Sequence, residues 1–397
     1  MKLFHTADWH LGKLVQGVYM TEDQRYILEN FIRAVEEEKP DAVILAGDLY
    51  DRAIPPTEAV HLLDEVLERI VLKLKTPVLA VAGNHDSPSR LNFGSSIMQH
   101  NGFHIVGNIT KEMEPVILHD EHGEVHFHLV PYCDPSVVRN VFADDEIRTH
   151  NDATGKIVET IKQNMDTNSR HVFVGHAFVT PFGEEKENTS DSERPLSIGG
   201  AEYVDGHHFA PFHYTALGHL HKKHYVIHET IQYSGSIAKF SISEEHHNKG
   251  FNVVEMDESG NVSIERRLLP PKRDMRTIEA TMEDLLTFPV SEDYVFVRLK
   301  DEAPVLSPME KIRSVFPNAM HVERNHYFLS HASNEETKSV NRSKMSDLDL
   351  FKAFYKEAKG ADPSEDTEAI FKEVLDEHLR DENETVTDRE HTKPITN

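Results

Sequence analysis

The chain has 397 residues, a single cysteine (Cys133), a formal net charge of -26 and a pI near 5.4. That length calls for two or three domains, the lone cysteine excludes an internal disulfide, and the acidic balance argues against a protein that holds nucleic acid by a basic surface of its own. No apolar stretch approaches the roughly 20 residues of a membrane span, and Met1 runs straight into an apolar segment with no room for a cleaved leader, so we expect a soluble, cytoplasmic protein with no membrane partner.

In chain order, five short apolar runs, residues 3–6, 42–46, 77–82, 171–174 and 214–217, read as strands buried on both faces. Each is followed by metal-binding residue types: Asp8-Trp9-His10, Gly47-Asp48-Leu49-Tyr50-Asp51, Gly83-Asn84-His85-Asp86, Gly175-His176 and Gly218-His219-Leu220-His221. Helices fall between them. Thr21-Glu22-Asp23-Gln24 reads as a capping box before Ile27, Leu28, Phe31, Ile32 and Val35. After Pro55-Pro56, the set Leu63, Val66, Leu67, Ile70, Val71 and Leu74 marks a second amphipathic helix. This alternation predicts an α/β fold whose ligand clusters meet in the crevice at the carboxyl ends of the strands.

Beyond Pro270-Pro271 the pattern changes. Strand-like runs at 276–281, 294–299 and 321–329 surround a helix announced by Ser307-Pro308-Met309-Glu310, and none carries a ligand cluster. A polar linker is expected at 330–344. It leads to a helix with Leu348, Phe351, Phe354, Tyr355 and Ala358 on one side, a second stripe of Ile370, Phe371, Val374, Leu375 and Leu379, and an acidic tail. Such stripes pack on their own protein or dock on a partner's helix or coiled coil. The expected division is 1–270, 271–332 as a small α/β accessory (capping) domain, and 333–397.

The five clusters together supply oxygen and imidazole ligands for two adjacent divalent cations, which is the apparatus of metal-dependent phosphoester hydrolysis. Asp48, ending a central strand, is the best candidate to bridge them. A donor set of carboxylate, amide and imidazole without thiolate favours Mn²⁺ or Fe²⁺ over a structural zinc site, and Mn²⁺ is the first choice. Most of the 27 histidines lack the strand-end context. His5, within the first strand, reads as a packed histidine, and His104, His119, His122, His126, His128, His207, His208, His246 and His247 as core or surface residues. Lys13, Arg52 and Arg90 could touch a substrate phosphate or could be ordinary surface charges.

The five blocks, with Tyr233-Ser234-Gly235-Ser236 and the segment from Ser192-Glu193-Arg194 to Gly200, resemble the calcineurin-like metallophosphoesterases, and within them the nuclease subunits of SbcCD-type DNA-repair complexes. The resemblance implies a β-sandwich flanked by helices. It implies one metal held by Asp8, His10, Asp48 and His221, a second by Asp48, Asn84, His176 and His219, and His85 outside the metal shell as a proton donor or charge stabiliser. Some relatives carry histidine where this chain has Asp51, so Asp51 is assigned no catalytic role. The implied activity is Mn²⁺-dependent double-strand 3′-to-5′ exonuclease and endonuclease cleavage at DNA ends and hairpins, in repair, recombination and replication. The implied partners are an SbcC-type coiled-coil ATPase, docked by the terminal helices, and a second copy of the nuclease within a heterotetramer. Two other readings stay open: a phosphoesterase of the same superfamily acting on nucleotides or phosphoproteins, and a catalytically silent scaffold bridging an ATPase to DNA.

Overall fold

A computed structural model describes residues 1–182, 190–193, 202–301, 303–324, 348, 351–352, 355–356, 362–364, 366–372 and 374. The chain first lays down β1 (Lys2–Thr6), β2 (Ala42–Ala46), β3 (Val78–Val81) and β4 (Phe103–Val106). It then builds a second sheet from β5 (Val116–Asp120), β6 (Gly123–Val130), β7 (Arg170–His176), β8 (Tyr214–Gly218), β9 (His224–Val226) and β10 (His228–Tyr233). With β11 (Gly250–Met256) and β12 (Val262–Leu268) it returns to the first. Two six-stranded sheets result, in the orders β12-β11-β1-β2-β3-β4 and β9-β10-β8-β7-β6-β5. The central pairs β1/β2, β2/β3, β6/β7 and β7/β8 are parallel.

Strand alternation explains why both faces are apolar. In β2, Ala42, Ile44 and Ala46 point into a core shared with Val125, Phe127, Val172, Val174 and Ala216 of the second sheet. Val43 and Leu45 point the other way, to helices α1 (Thr21–Glu38) and α2 (Thr57–Leu67). The outer face of the second sheet is covered by α3 (Pro135–Phe142) and α4 (His150–Gln163), where Val138, Ile157 and Ile161 meet Phe173 and Phe209. The chain is therefore a four-layer α/β sandwich, not the single open sheet that the residue pattern alone suggests. Phe4, Phe31 and Phe251 lock α1 to its sheet with ring centroids 4.6–6.2 Å apart. Truncating Phe31 to alanine should cost about 3–5 kcal/mol.

The α1 capping box does not form. The helix begins at Thr21 itself, with Met20 as an N-cap that makes no side-chain bond, and Gln24 turns inward to another task described below. Past Leu67 the hydrogen bonding of the second helix widens, and the Leu74 N–H reaches the Arg69 carbonyl at 2.9 Å.

A separate three-stranded parallel sheet follows: β13 (Met275–Ala280), β14 (Tyr294–Leu299) and β15 (His321–Arg324). Ile278, Val295 and Val297 pack against Ile312 of α5 (Pro308–Arg313) and Phe316. Ser307 precedes α5 in a left-handed conformation and makes no cap bond, so Pro308 alone starts the helix. Arg273 and Tyr294 both reach the buried Asp23 of α1, at 2.8 and 2.7 Å, which fastens this sheet to the sandwich.

The expected strand is described as far as Arg324; residues 325–329, the linker at 330–344, Phe354, Ala358, Leu375, Leu379 and the tail lie outside the described residues. Residues 326–397 form a unit of their own. Within it, the two expected stripes meet through the stacked rings of Phe351 and Phe371, 4.0 Å apart, and Lys352 pairs with Glu368 at 2.8 Å. No helix among the described residues is long and apolar enough to cross a membrane.

Candidate metal centre

The tips of β1, β2 and β3 from one sheet and of β7 and β8 from the other open on the same edge. Backbone bonds knit the loops together: Asp8 N–H donates to Gly47 O and His10 N–H to Asp48 O, each at 3.0 Å. Gln24 braces the first loop from α1. Its amide NH₂ donates to the Trp9 and His10 carbonyls at 2.9 and 2.8 Å, and its carbonyl accepts from Gly12 N–H at 3.1 Å.

Four of the side chains expected here stand on backbone with positive φ: Asp8 (53°), His10 (44°), Asp48 (52°) and His219 (107°). Non-glycine residues adopt that region at a cost, and such strain collects at functional sites. Packing enforces it. A Cβ on Gly83 would lie 2.1 Å from Asp48 Oδ1, and one on Gly218 would lie 1.9 Å from Ala46 O. Gly83 thus serves close approach to Asp48.

All seven residues expected as ligands converge, together with His85. Asp8, His10, Asp48, His176, His219 and His221 are buried, and Asn84 and His85 half-buried. His176 Nδ1–H donates to Ala46 O at 2.9 Å. When the ring is neutral, its Nε2 therefore presents a lone pair, 2.9 Å from Asn84 Oδ1 and 3.4 Å from Asp48 Oδ2. His219 Nδ1 lies 3.3 Å from the same Asn84 oxygen. On the other side, His10 Nε2 and His221 Nε2 face each other at 3.0 Å, and His10 Nε2 is 3.6 Å from Asp48 Oδ2. His85 Nδ1–H donates to Asp51 O at 2.8 Å, leaving Nε2 free, and its backbone N–H donates to Asp48 Oδ1 at 2.8 Å.

Lone pairs aimed at one another repel unless positive charge lies among them. The titration behaviour expresses the same demand. Burial resists charge on His176, but Asp48 and Asp8 push its pKa up to about 9. Burial pushes the Asp8 carboxyl up to about 7, with His176 and His221 pulling the other way. Burial also opposes ionisation of Asp48, yet His176 and His10 hold it well below the usual carboxylate range. Burial holds His10 and His219 neutral, well below the ordinary imidazole value. Asp8 Oδ2 and His10 Nδ1 are buried and make no hydrogen bond, which is uncommon for polar atoms without a further ligand. Among the described residues, the groups of close-set His and Asp able to hold an ion are Asp8/His10/His221, Asp8/Asp48/His176 and His10/Asp51/His85. The donors fit divalent first-row cations.

Several residues hold the site in ways the sequence did not assign, Asp86 and Glu193 among them although both lie in blocks named above. Asp86 folds back under the second loop, accepting from Leu49, Tyr50 and Gly83 N–H at 2.9–3.1 Å; burial and the Asp48 charge push it up to about 7 against those bonds. Glu193 accepts from His221 N–H at 2.6 Å and Glu244 from His221 Nδ1–H at 3.0 Å. No spacing pattern links Asp86 to Leu49 and Tyr50, or Glu193 and Glu244 to His221. Asp51, given no role, sits 3.8 Å from His10 Nδ1 and pairs with Lys13 at 2.8 Å, so Lys13 is a local ion pair. Arg52 and Arg90 are exposed. Of the loop expected at 183–197, residues 183–189 and 194–197 lie outside the described residues. His5 is buried, as expected, with Nδ1 2.8 Å from the Tyr214 hydroxyl.

Residues 1–223 match the model of the calcineurin-like phosphoesterase family, and residues 271–359 that of the type 5 capsule protein repressor C-terminal domain. The SbcD component of the nuclease SbcCD from Staphylococcus epidermidis is 35% identical over 360 residues, covering 90% of this chain and 93% of that protein. Among solved structures, GAP50, the anchor in the inner membrane complex of Plasmodium, aligns at a TM-score of 0.39 and 13% identity, over 68% of this chain and 89% of its own. A dimetal phosphatase from Danio rerio aligns at 0.37 and 11%, over 68% and 96%.

Proposed function

We propose, for a chain that belongs to the calcineurin-like phosphoesterase family, that it is the nuclease subunit of an SbcCD-type complex and hydrolyses DNA phosphodiesters with two divalent cations, Mn²⁺ in the first instance. The observation that carries this reading is the convergence of buried lone pairs from both sheets on a space that requires positive charge. Asp8, His10, Asp48 and His221 would hold one cation, and Asp48, Asn84, His176 and His219 the other. When bound, such a pair supplies hydroxide at neutral pH and offsets charge on the phosphate oxygens.

The chain's own residues prepare the rest. The Ala46 carbonyl fixes the tautomer of His176, directing its Nε2 inward. Asp86 and Gln24 hold the loops that carry Asp48 and His10. His85, with Nδ1–H spent on the Asp51 carbonyl, carries any further proton on Nε2, from where it can pass to the departing oxygen.

The reaction would be 3′-to-5′ exonuclease and endonuclease cleavage of double-stranded DNA at ends and hairpins. A charge of -26 is a poor grip on DNA. That grip would come from an SbcC-type coiled-coil ATPase in a cytoplasmic heterotetramer with two nuclease subunits. The division into a phosphoesterase domain 1–270, an accessory domain 271–332 and a partner-binding region 333–397 assigns the docking to the Phe351 and Phe371 stripes. Crystals soaked in Mn²⁺ and read by anomalous scattering test the site. Two peaks within about 4 Å of each other are expected; one peak or none would end the two-metal reading.

A further inference from the structure

The turn Ile242–Glu244 lies between β10 and β11 and carries no residue of the five strand-tip clusters. Yet Glu244 is fully buried beside the site. Its Oε1 sits 3.0 Å from His221 Nδ1 and also accepts from the Ser192 hydroxyl. Its Oε2 pairs with Lys249 Nζ at 2.5 Å and takes a long bond from Phe240 N–H at 3.4 Å. Lys249 is itself buried, donating to the His221 carbonyl at 2.9 Å and to Ser236 Oγ at 2.8 Å. The neighbouring Glu245 accepts from Thr277 N–H of β13 at 2.7 Å, so the turn is held from its far side as well.

A buried ion pair is a weak source of stability, because removing both charges from water offsets most of their attraction. Here the pair has a geometric consequence. Ser192 Oγ also lies 2.8 Å from His221 Nδ1, but its proton goes to Glu244, so both neighbours of Nδ1 are acceptors and His221 keeps its proton there, which leaves the Nε2 lone pair facing His10 Nε2. Lys249 clamps both the carboxylate and the His221 backbone, so ring and partner cannot separate.

We propose that Glu244, clamped by Lys249, is a positioning residue that fixes the orientation and tautomer of His221 and thereby sets the affinity of the cation site His221 shares with Asp8 and His10. This rests on the two-cation reading above. Metal-free wild-type protein, Glu244→Leu/Lys249→Met and Glu244→Gln would be titrated with Mn²⁺ by calorimetry and by electron paramagnetic resonance, with melting curves to confirm folding. The double variant removes both charges together, so that neither is stranded. Wild type should take two ions. The double variant should keep one at unchanged affinity and bind the other about 10–100-fold more weakly, while Glu244→Gln, which retains an acceptor, should fall between them. Two ions bound at wild-type affinity by the double variant would overturn the proposal. So would a Mn²⁺-soaked wild-type crystal in which His221 meets the ion through Nδ1, a result independent of whether the variants fold. A wild type that binds fewer than two ions would instead bring down the two-cation reading, and this inference with it.

Discussion

Two groups of buried histidines occupy this sandwich, and they behave differently. At the strand tips, His10, His176, His219 and His221 face carboxylates and one another across short gaps, two of them on left-handed backbone. On the outer face of the second sheet, His126, His128 and His171 stand in regular β6 and β7, with His126 opposite His171 in the register. There the rings stack and bond among themselves. His128 Nε2 lies 3.0 Å from His171 Nδ1, His171 Nε2–H donates to the Asp166 carbonyl at 2.7 Å, and His213 Nδ1 accepts from the His171 backbone at 2.9 Å. Depth of burial does not separate a ligand from a packed histidine; the partners at the far nitrogen do.

The contrast breaks most sharply at Asp48, the carboxylate approached by imidazoles from both sheets. Asp48→Ala should reduce Mn²⁺-dependent cleavage of linear duplex DNA to background, and retained cleavage would refute the shared-carboxylate assignment. His85 comes next. His85→Gln should leave cation uptake largely intact and lower turnover by about 10²-fold, measured under single-turnover conditions beside a Mn²⁺ titration. Loss of cation binding in that variant would put His85 among the ligands. A smaller effect is expected at Gln24, which touches only backbone carbonyls and an N–H of the first loop. Gln24→Leu should cost about 1–3 kcal/mol in a denaturant melt, because buried peptide groups lose their partners.

What the sequence made legible follows from where these groups sit. Asp8, His10, Asp48, Asn84, His176, His219 and His221 come in blocks directly after apolar runs, so strand ends could be read as ligand positions. Gln24, Asp86, Glu193, Glu244 and Lys249 act on partners that no local period connects to them; Glu244 lies 23 positions from His221. The sandwich was hidden for a related reason. Val43 and Ile44 are equally apolar, though one meets a helix and the other a second sheet, and only the family resemblance implied which. The capping signal at Thr21 to Gln24 misled because Gln24 was already committed to the Trp9 and His10 carbonyls.

The smallest expected effect on activity sharpens the comparison from the other side. Burial, with His171 and His126 adding to it, pushes His128 down to about 3 from an ordinary value of 6.5. The ring is neutral in the folded protein, whereas the unfolded chain takes up a proton below about 6.5. The unfolded state therefore binds more protons there, and stability falls as pH drops through 6.5 toward 3. At pH 5 this one group should cost about 2 kcal/mol relative to pH 7. In His128→Leu that acid penalty vanishes, while His171 Nδ1 loses its partner at a cost of about 1 kcal/mol. The variant should melt slightly below wild type at pH 7 and above it at pH 5, with DNA cleavage and Mn²⁺ uptake within about twofold of wild type. Melting curves that fail to cross would mean that His128 accepts its proton without leaving the fold, and a large loss of cleavage would mean that the two histidine groups are coupled through β7, which carries both His171 and His176.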